Sequence, residues 1–147
     1  MRHMLRIWGA LSLLALSMVP SAGAADAFVL IRNAKNPTTA VSKAELKEMV
    51  VGQKKVWGKG AAVQVVLAPP GSAALGWLAS SQLGVEEGTL MSKIKQEVFK
   101  GEMKKPITAA SDKDCLAAVA GDPGGVGVVS AEAAKSLPAD VAILSVN

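Results

Sequence analysis

The chain has 147 residues, half of them hydrophobic (50%), with 16 Lys and Arg against 12 Asp and Glu, one His, one Cys and no Tyr. A net charge of +4 is too small an imbalance to mark a nucleic-acid surface. Cys115 stands alone, which excludes an intrachain disulfide and any cysteine-cluster metal site.

Residues 1–24 read as a secretory signal: Arg2 and Arg6, an apolar run from Ile7 to Val19, then small residues ending in Ala22-Gly23-Ala24. Cleavage is expected between Ala24 and Ala25. The apolar run falls short of the roughly 20 residues that span a bilayer. No stable membrane insertion is therefore expected once the signal is gone, and the location implied is periplasmic or secreted. Removing residues 1–24 of 147 leaves 123, the size of one domain, in which 14 basic residues face 12 acidic ones. His3 departs with the signal, so the remainder has no imidazole for a Ser-His-Asp or Cys-His centre or a histidine metal site. No catalytic residue, metal site or cofactor is expected.

From residue 25 onward, Phe28 to Ile31 predicts a strand. Ser42-Lys43-Ala44-Glu45 is a capping box, and Leu46, Met49 and Val50 give an amphipathic helix from Lys43 to Val51 that stops at Gly52. Gln53 to Ala61 reads as a basic turn with Trp57 among lysines; Trp57 and Trp77 read either as rings that stack on a ligand or, for at least one of them, as core or interface packing. Val63 to Leu67 is a buried strand broken by Pro69-Pro70-Gly71. Ser72 caps a helix from Ala73 to Leu83 with Leu75, Leu78, Ala79 and Leu83 on one face. Leu90, Ile94 and Val98, with Met91 and Phe99 beside them, mark a helix over residues 89–100. Glu102 to Ala110 is an exposed loop or a poor strand, because Lys104-Lys105-Pro106 opposes a sheet interior. Ser111 caps a helix from Asp112 to Ala120 with Cys115, Leu116 and Val119 inward. A strand from Val126 to Val129, a short helix from Ala131 to Ser136 capped by Ser130, and a strand from Val141 to Val146 complete the chain. Alternating strands and helices give an α/β domain over residues 25–147.

The best candidate site is Gly71-Ser72-Ala73-Ala74, where a strand turns into a helix start that offers unpaired N–H groups and a positive dipole end to an anion. The plainer role of Ser72 is to cap its helix. Ser111 and Ser130 read as caps, and the carboxylate pairs Glu86-Glu87 and Asp112/Asp114 sit at helix starts where acids favour the dipole. Lys54-Lys55 and Lys104-Lys105 read either as solvated loop charges or as a basic rim, and Cys115 as a buried apolar residue.

The order of these features resembles the phosphate-binding proteins of ABC transporters. The segments that carry the likeness are Leu46 to Gly52, Lys55-Val56-Trp57-Gly58-Lys59-Gly60, Val63 to Ala68 with the Ser72 helix, Val98-Phe99-Lys100-Gly101, and Ser111 to Val119 followed by Asp122 to Val129. The resemblance implies a type II periplasmic-binding-protein-like fold: a single lobe with a mixed, largely parallel sheet flanked by helices. It implies a non-enzymatic, exported solute-binding-like domain taking phosphate or another small oxyanion at Gly71 to Ala74, with pairing of two copies as a way to complete the site. Where the family's anion loop carries Arg and then Ser-Gly-Thr, this chain has Leu67-Ala68-Pro69-Pro70-Gly71-Ser72-Ala73-Ala74. That loss of Arg and Thr, with the Trp57 turn, opens a second reading: a degenerate binding fold serving as a protein-interaction or adaptor module in the cell envelope.

Overall fold

The computed structural model describes residues 27–58 and 60–147. The expected signal segment and the Ala24/Ala25 cleavage point lie outside the described residues.

Five strands form the main sheet in the order β4-β3-β5-β1-β6: β1 is Phe28–Asn33, β3 Gln64–Leu67, β4 Ile107–Thr108, β5 Gly125–Ser130 and β6 Val141–Ile143. β3 pairs in parallel with both β4 and β5, while β1 runs antiparallel to β5 and β6. Four of the five strands thus point one way and β1 opposes them, the mixed, largely parallel sheet expected. The expected last strand is split at buried Leu144: β6 bonds to β1, and β7 (Ser145–Val146) pairs in parallel with β2 (Ala40–Val41) as a separate ribbon.

The period-2 alternation of strands sorts the core onto two faces. Leu30, Val65, Leu67, Val126 and Val128 join one cluster with Leu46, Met49, Trp57, Leu75, Leu90 and Ile94. Ile31, Val66 and Val129 join the other with Cys115 and Val119. Helices α1 (Lys43–Val50), α2 (Ala73–Trp77) and α3 (Glu87–Phe99) therefore cover one face, and α4 (Asp112–Ala120) covers the opposite one. α4 lies close against β5 because Gly127 presents no side chain there; a Cβ on Gly127 would sit 2.6 Å from the Cys115 sulfur. Buried Asn33, at the end of β1, donates from Nδ2 to the Val119 and Ala120 carbonyls at 2.9 and 3.1 Å, satisfying the last turn of α4.

Local chemistry explains most element ends. Ser42 Oγ accepts the Glu45 N–H at 3.0 Å, half of the expected capping box, but the Glu45 carboxylate turns instead to Lys54. The Ser72 helix does not stay α-helical to Leu83. From Leu78 to Gln82 it widens to a π turn, with Leu83 N–H bonding the Leu78 carbonyl, while the Ser80 hydroxyl back-bonds the Gly76 carbonyl at 2.7 Å. α3 begins at Glu87 rather than 89, and the short helix after Ser130 is a 3-10 turn over Ala133–Ser136. Among the described residues, no helix is long and apolar enough to cross a membrane.

Candidate functional site

Past the end of β3, Pro69-Pro70-Gly71-Ser72 closes a turn through the Ser72 N–H to the Pro69 carbonyl at 3.1 Å. Proline second and a glycine at φ +79° third are the demands of a type II turn. The turn delivers Ser72 in extended backbone to the start of α2, where its Oγ accepts the Leu75 N–H at 3.3 Å. Beside it, past the end of β4, Ser111 Oγ accepts the Asp114 N–H at 3.2 Å and starts α4.

These two helix starts open onto one cleft of about 120 Å³ at the carboxyl ends of parallel strands, the position where open α/β sheets hold ligands. Ala68, Pro69, Ser72 and Ala74 form one wall; Ala109 to Asp112 and Cys115 form the other, with Val128 of β5 at the base. Each capping hydroxyl spends a lone pair on its helix and keeps its O–H free to donate outward. The first-turn amides of both helices are the donors that an α-helical ladder leaves over.

Among the described residues, no cation lines the cleft. Its one charged lining residue is Asp112, whose carboxylate accepts the Ser130 N–H at 3.0 Å and the Ser130 O–H at 2.6 Å, while Ser130 Oγ accepts the Ala133 N–H at 3.1 Å. Asp112 thereby latches the first turn of α4 to the end of β5. Cys115 is buried in the α4 wall, where burial, with the Asp112 charge, pushes its thiol from an ordinary 9.0 to about 11 against a backbone hydrogen bond with Val128 that lowers it. The thiol is protonated at neutral pH and lacks the character of a nucleophile.

Of the four residues expected at the site, Ser72 and Ala74 line the cleft, and Ala73 lies between them at the helix start. Gly71 is differently engaged: its N–H donates to Glu87 Oε2 at 3.2 Å, so a carboxylate of the chain itself already meets that part of the turn. Ser111 keeps the capping role read from sequence, but it also converges with Ser72. That convergence escaped sequence reasoning because β4, which brings Ser111 into place, is only two residues long.

The lysine pairs do not rim the cleft. Lys54, Lys55 and Lys104 line a groove with Val63 and Val65, at the start of β3 rather than beyond its end. Lys54 pairs with Glu45 and Lys55 with Glu102 at 3.0 Å. Trp57 is not an exposed turn residue. It is 1% exposed, and its indole N–H donates to the Gly124 carbonyl at 2.9 Å, so it offers no surface to a partner. Trp77 packs its ring 5.9 Å from Phe28. Among the described residues, no three His, Cys, Asp or Glu side chains cluster as a metal site would require.

No family model matches the chain, and no curated relative does. Solved structures do. The chain is similar to PstS from Borrelia burgdorferi, with a TM-score of 0.61 and 17% identity over 82% of this chain and 47% of that one. It is similar to an ABC-type phosphate transport receptor from Vibrio cholerae, with a TM-score of 0.54 and 17% identity over 82% and 46% of the two chains. A protein from Clostridium perfringens described as a phosphate ABC transporter substrate-binding protein, with bound phosphate, matches at a TM-score of 0.61 and 16% identity over 82% and 44%. The chain spans less than half the length of each of these proteins, and identities this low establish the fold alone. Over 82% of its length, the chain has the fold of part of a phosphate ABC transporter substrate-binding protein.

Proposed function

We propose that this chain is an exported, non-enzymatic solute-binding module that holds phosphate or a similar small oxyanion between the starts of α2 and α4. One observation carries the reading: in a fold shared with a protein solved with phosphate bound, two capped helix starts open onto one cleft at the carboxyl ends of the strands. The Ser72 and Ser111 hydroxyls and the first-turn amides beside them, including those of Ala73 and Ala74, supply the donors. With no guanidinium or ammonium in the lining, binding is expected in the millimolar range, about −4 kcal/mol.

A second copy facing the cleft would supply an opposing wall for the bound anion. Calorimetric and thermal-shift titration of the exported protein with phosphate and sulfate tests the reading, with sedimentation run with and without ligand. Flat responses to both anions at millimolar concentration would defeat it. Glu87→Gln removes a negative charge from Gly71 and is expected to tighten phosphate binding several-fold, about 1 kcal/mol.

A further inference from the structure

Phe99 was expected beside the apolar row of Leu90, Ile94 and Val98 on α3, yet it is 93% exposed. It lies nine residues, two and a half turns, after buried Leu90 and so falls on the opposite side of the helix. Between α3 and β4 runs a groove of about 340 Å³ with Met91, Ile94, Val98, Phe99 and Pro106 in its lining. Ile107, on edge strand β4, adds 41% exposed apolar surface next to Pro106.

The charge around the groove has one sign. Lys95 and Lys105 line it, no acidic residue does, and neither lysine is in an ion pair among the described residues. The other lysines late in the helix are used: Lys93 and Lys100 both pair with Glu97 and hold its carboxyl below the usual range. We propose that the groove between α3 and β4 is a docking site for an acidic, amphipathic helical segment of a partner protein, anchored on Phe99.

Three alternatives fit less well. A strand adding to β4 would meet a two-residue edge preceded by Lys104-Lys105-Pro106, the short, cationic, proline-marked edge that discourages pairing. A second copy docked groove to groove would set Lys95 and Lys105 against their own equivalents. A flat bilayer reaches Phe99 but not the apolar walls of a concave groove. An amphipathic helix seats side chains three and four residues apart in such a groove and brings its carboxylates to the lysines. The groove shares no lining residue with the Ser72 cleft, so it stands independently of the oxyanion reading.

The test is selection of helix-biased peptides displayed on phage against the exported protein, from acidic-amphipathic and basic-amphipathic libraries in parallel. The expected result is enrichment from the acidic library, with affinity that weakens as salt rises and falls about tenfold or more on Phe99→Ala and on the Lys95→Glu/Lys105→Glu double substitution. Both variants alter exposed side chains, so an unchanged melting temperature accompanies the loss. The proposal is overturned by failure to enrich, by enrichment from the basic library, or by peptides indifferent to Phe99→Ala. It is also overturned if Phe99→Ala abolishes self-association in sedimentation or binding to phosphatidylglycerol vesicles, while peptide binding is absent.

Discussion

The face of the sheet under α1, α2 and α3 is filled with large side chains, among them Trp57, Leu46, Met49, Leu75 and Leu90, whereas the face under α4 holds Ile31, Val66, Cys115, Val119 and Val129 over a glycine. The first face gains stability from area and volume. The second gains it from close approach of a helix to a strand, and it leaves almost no room for change. The cleft lies where the two meet, at one end of the sheet, so its walls inherit one packing regime each.

The largest break is expected on the bulky face. Trp57→Ala empties the place of a fully buried indole and removes one of the two 2.9 Å donors on the Gly124 carbonyl, which keeps the Gln64 N–H. The expected loss is about 3–5 kcal/mol, read as a fall in the urea midpoint.

A second break uses pH to report the tight face. The Cys115 thiol is raised to about 11 in the folded chain, so the folded state holds its proton where the unfolded state has lost it. Its contribution is complete below pH 9 and is lost as pH rises toward 11, by up to about 3 kcal/mol. Urea unfolding at pH 8 and at pH 10.5 measures the drop, and Cys115→Ala should show a smaller one. An equal drop in both proteins would exclude the thiol as its source.

Gly127→Ala addresses the same contact sterically. The new methyl would stand 2.6 Å from the Cys115 sulfur, and the expected cost is about 1–3 kcal/mol. In a Cys115→Ala background the cost should shrink, giving a coupling of about 0.5 kcal/mol or more in a double-mutant cycle. Strict additivity would show that α4 shifts as a body rather than clashing at this one atom.

What the sequence disclosed follows from how local each determinant is. α4 was bounded correctly because Ser111 and the apolar spacing of Cys115 and Val119 are signals contained within the helix. The buried strand β3 was legible because Val63 to Leu67 is a continuous run rich in branched residues, a signal that needs no other segment. Trp57 stayed open between core and surface because its place depends on the Gly124 carbonyl, 67 residues away, while its neighbours are the lysines and glycines of a surface turn. Phe99 misled: it adjoins Val98 in sequence but lies across the helix from Leu90. The site was half legible. Ser72 announced its helix start, but only the short strand β4 reveals that Ser111 shares its cleft.

The smallest expected effect separates the two roles of Ser72. Its Oγ caps α2 through the Leu75 N–H, and the same hydroxyl borders the cleft. Ser72→Ala would confound the roles, since losing the cap costs about 1 kcal/mol by itself. Ser72→Gly is the cleaner substitution, because glycine is tolerated at an N-cap for a few tenths of a kcal/mol while the O–H disappears. If the hydroxyl only starts the helix, Ser72→Gly should leave any phosphate-induced rise in melting temperature intact. If it donates to a bound oxyanion, that rise should shrink although the ligand-free melting temperature hardly moves. Ser111→Gly makes the same comparison on the α4 wall, where Oγ caps through the Asp114 N–H. A response lost in both variants would place the anion between the two helix starts, and a response lost in one alone would place it on that wall.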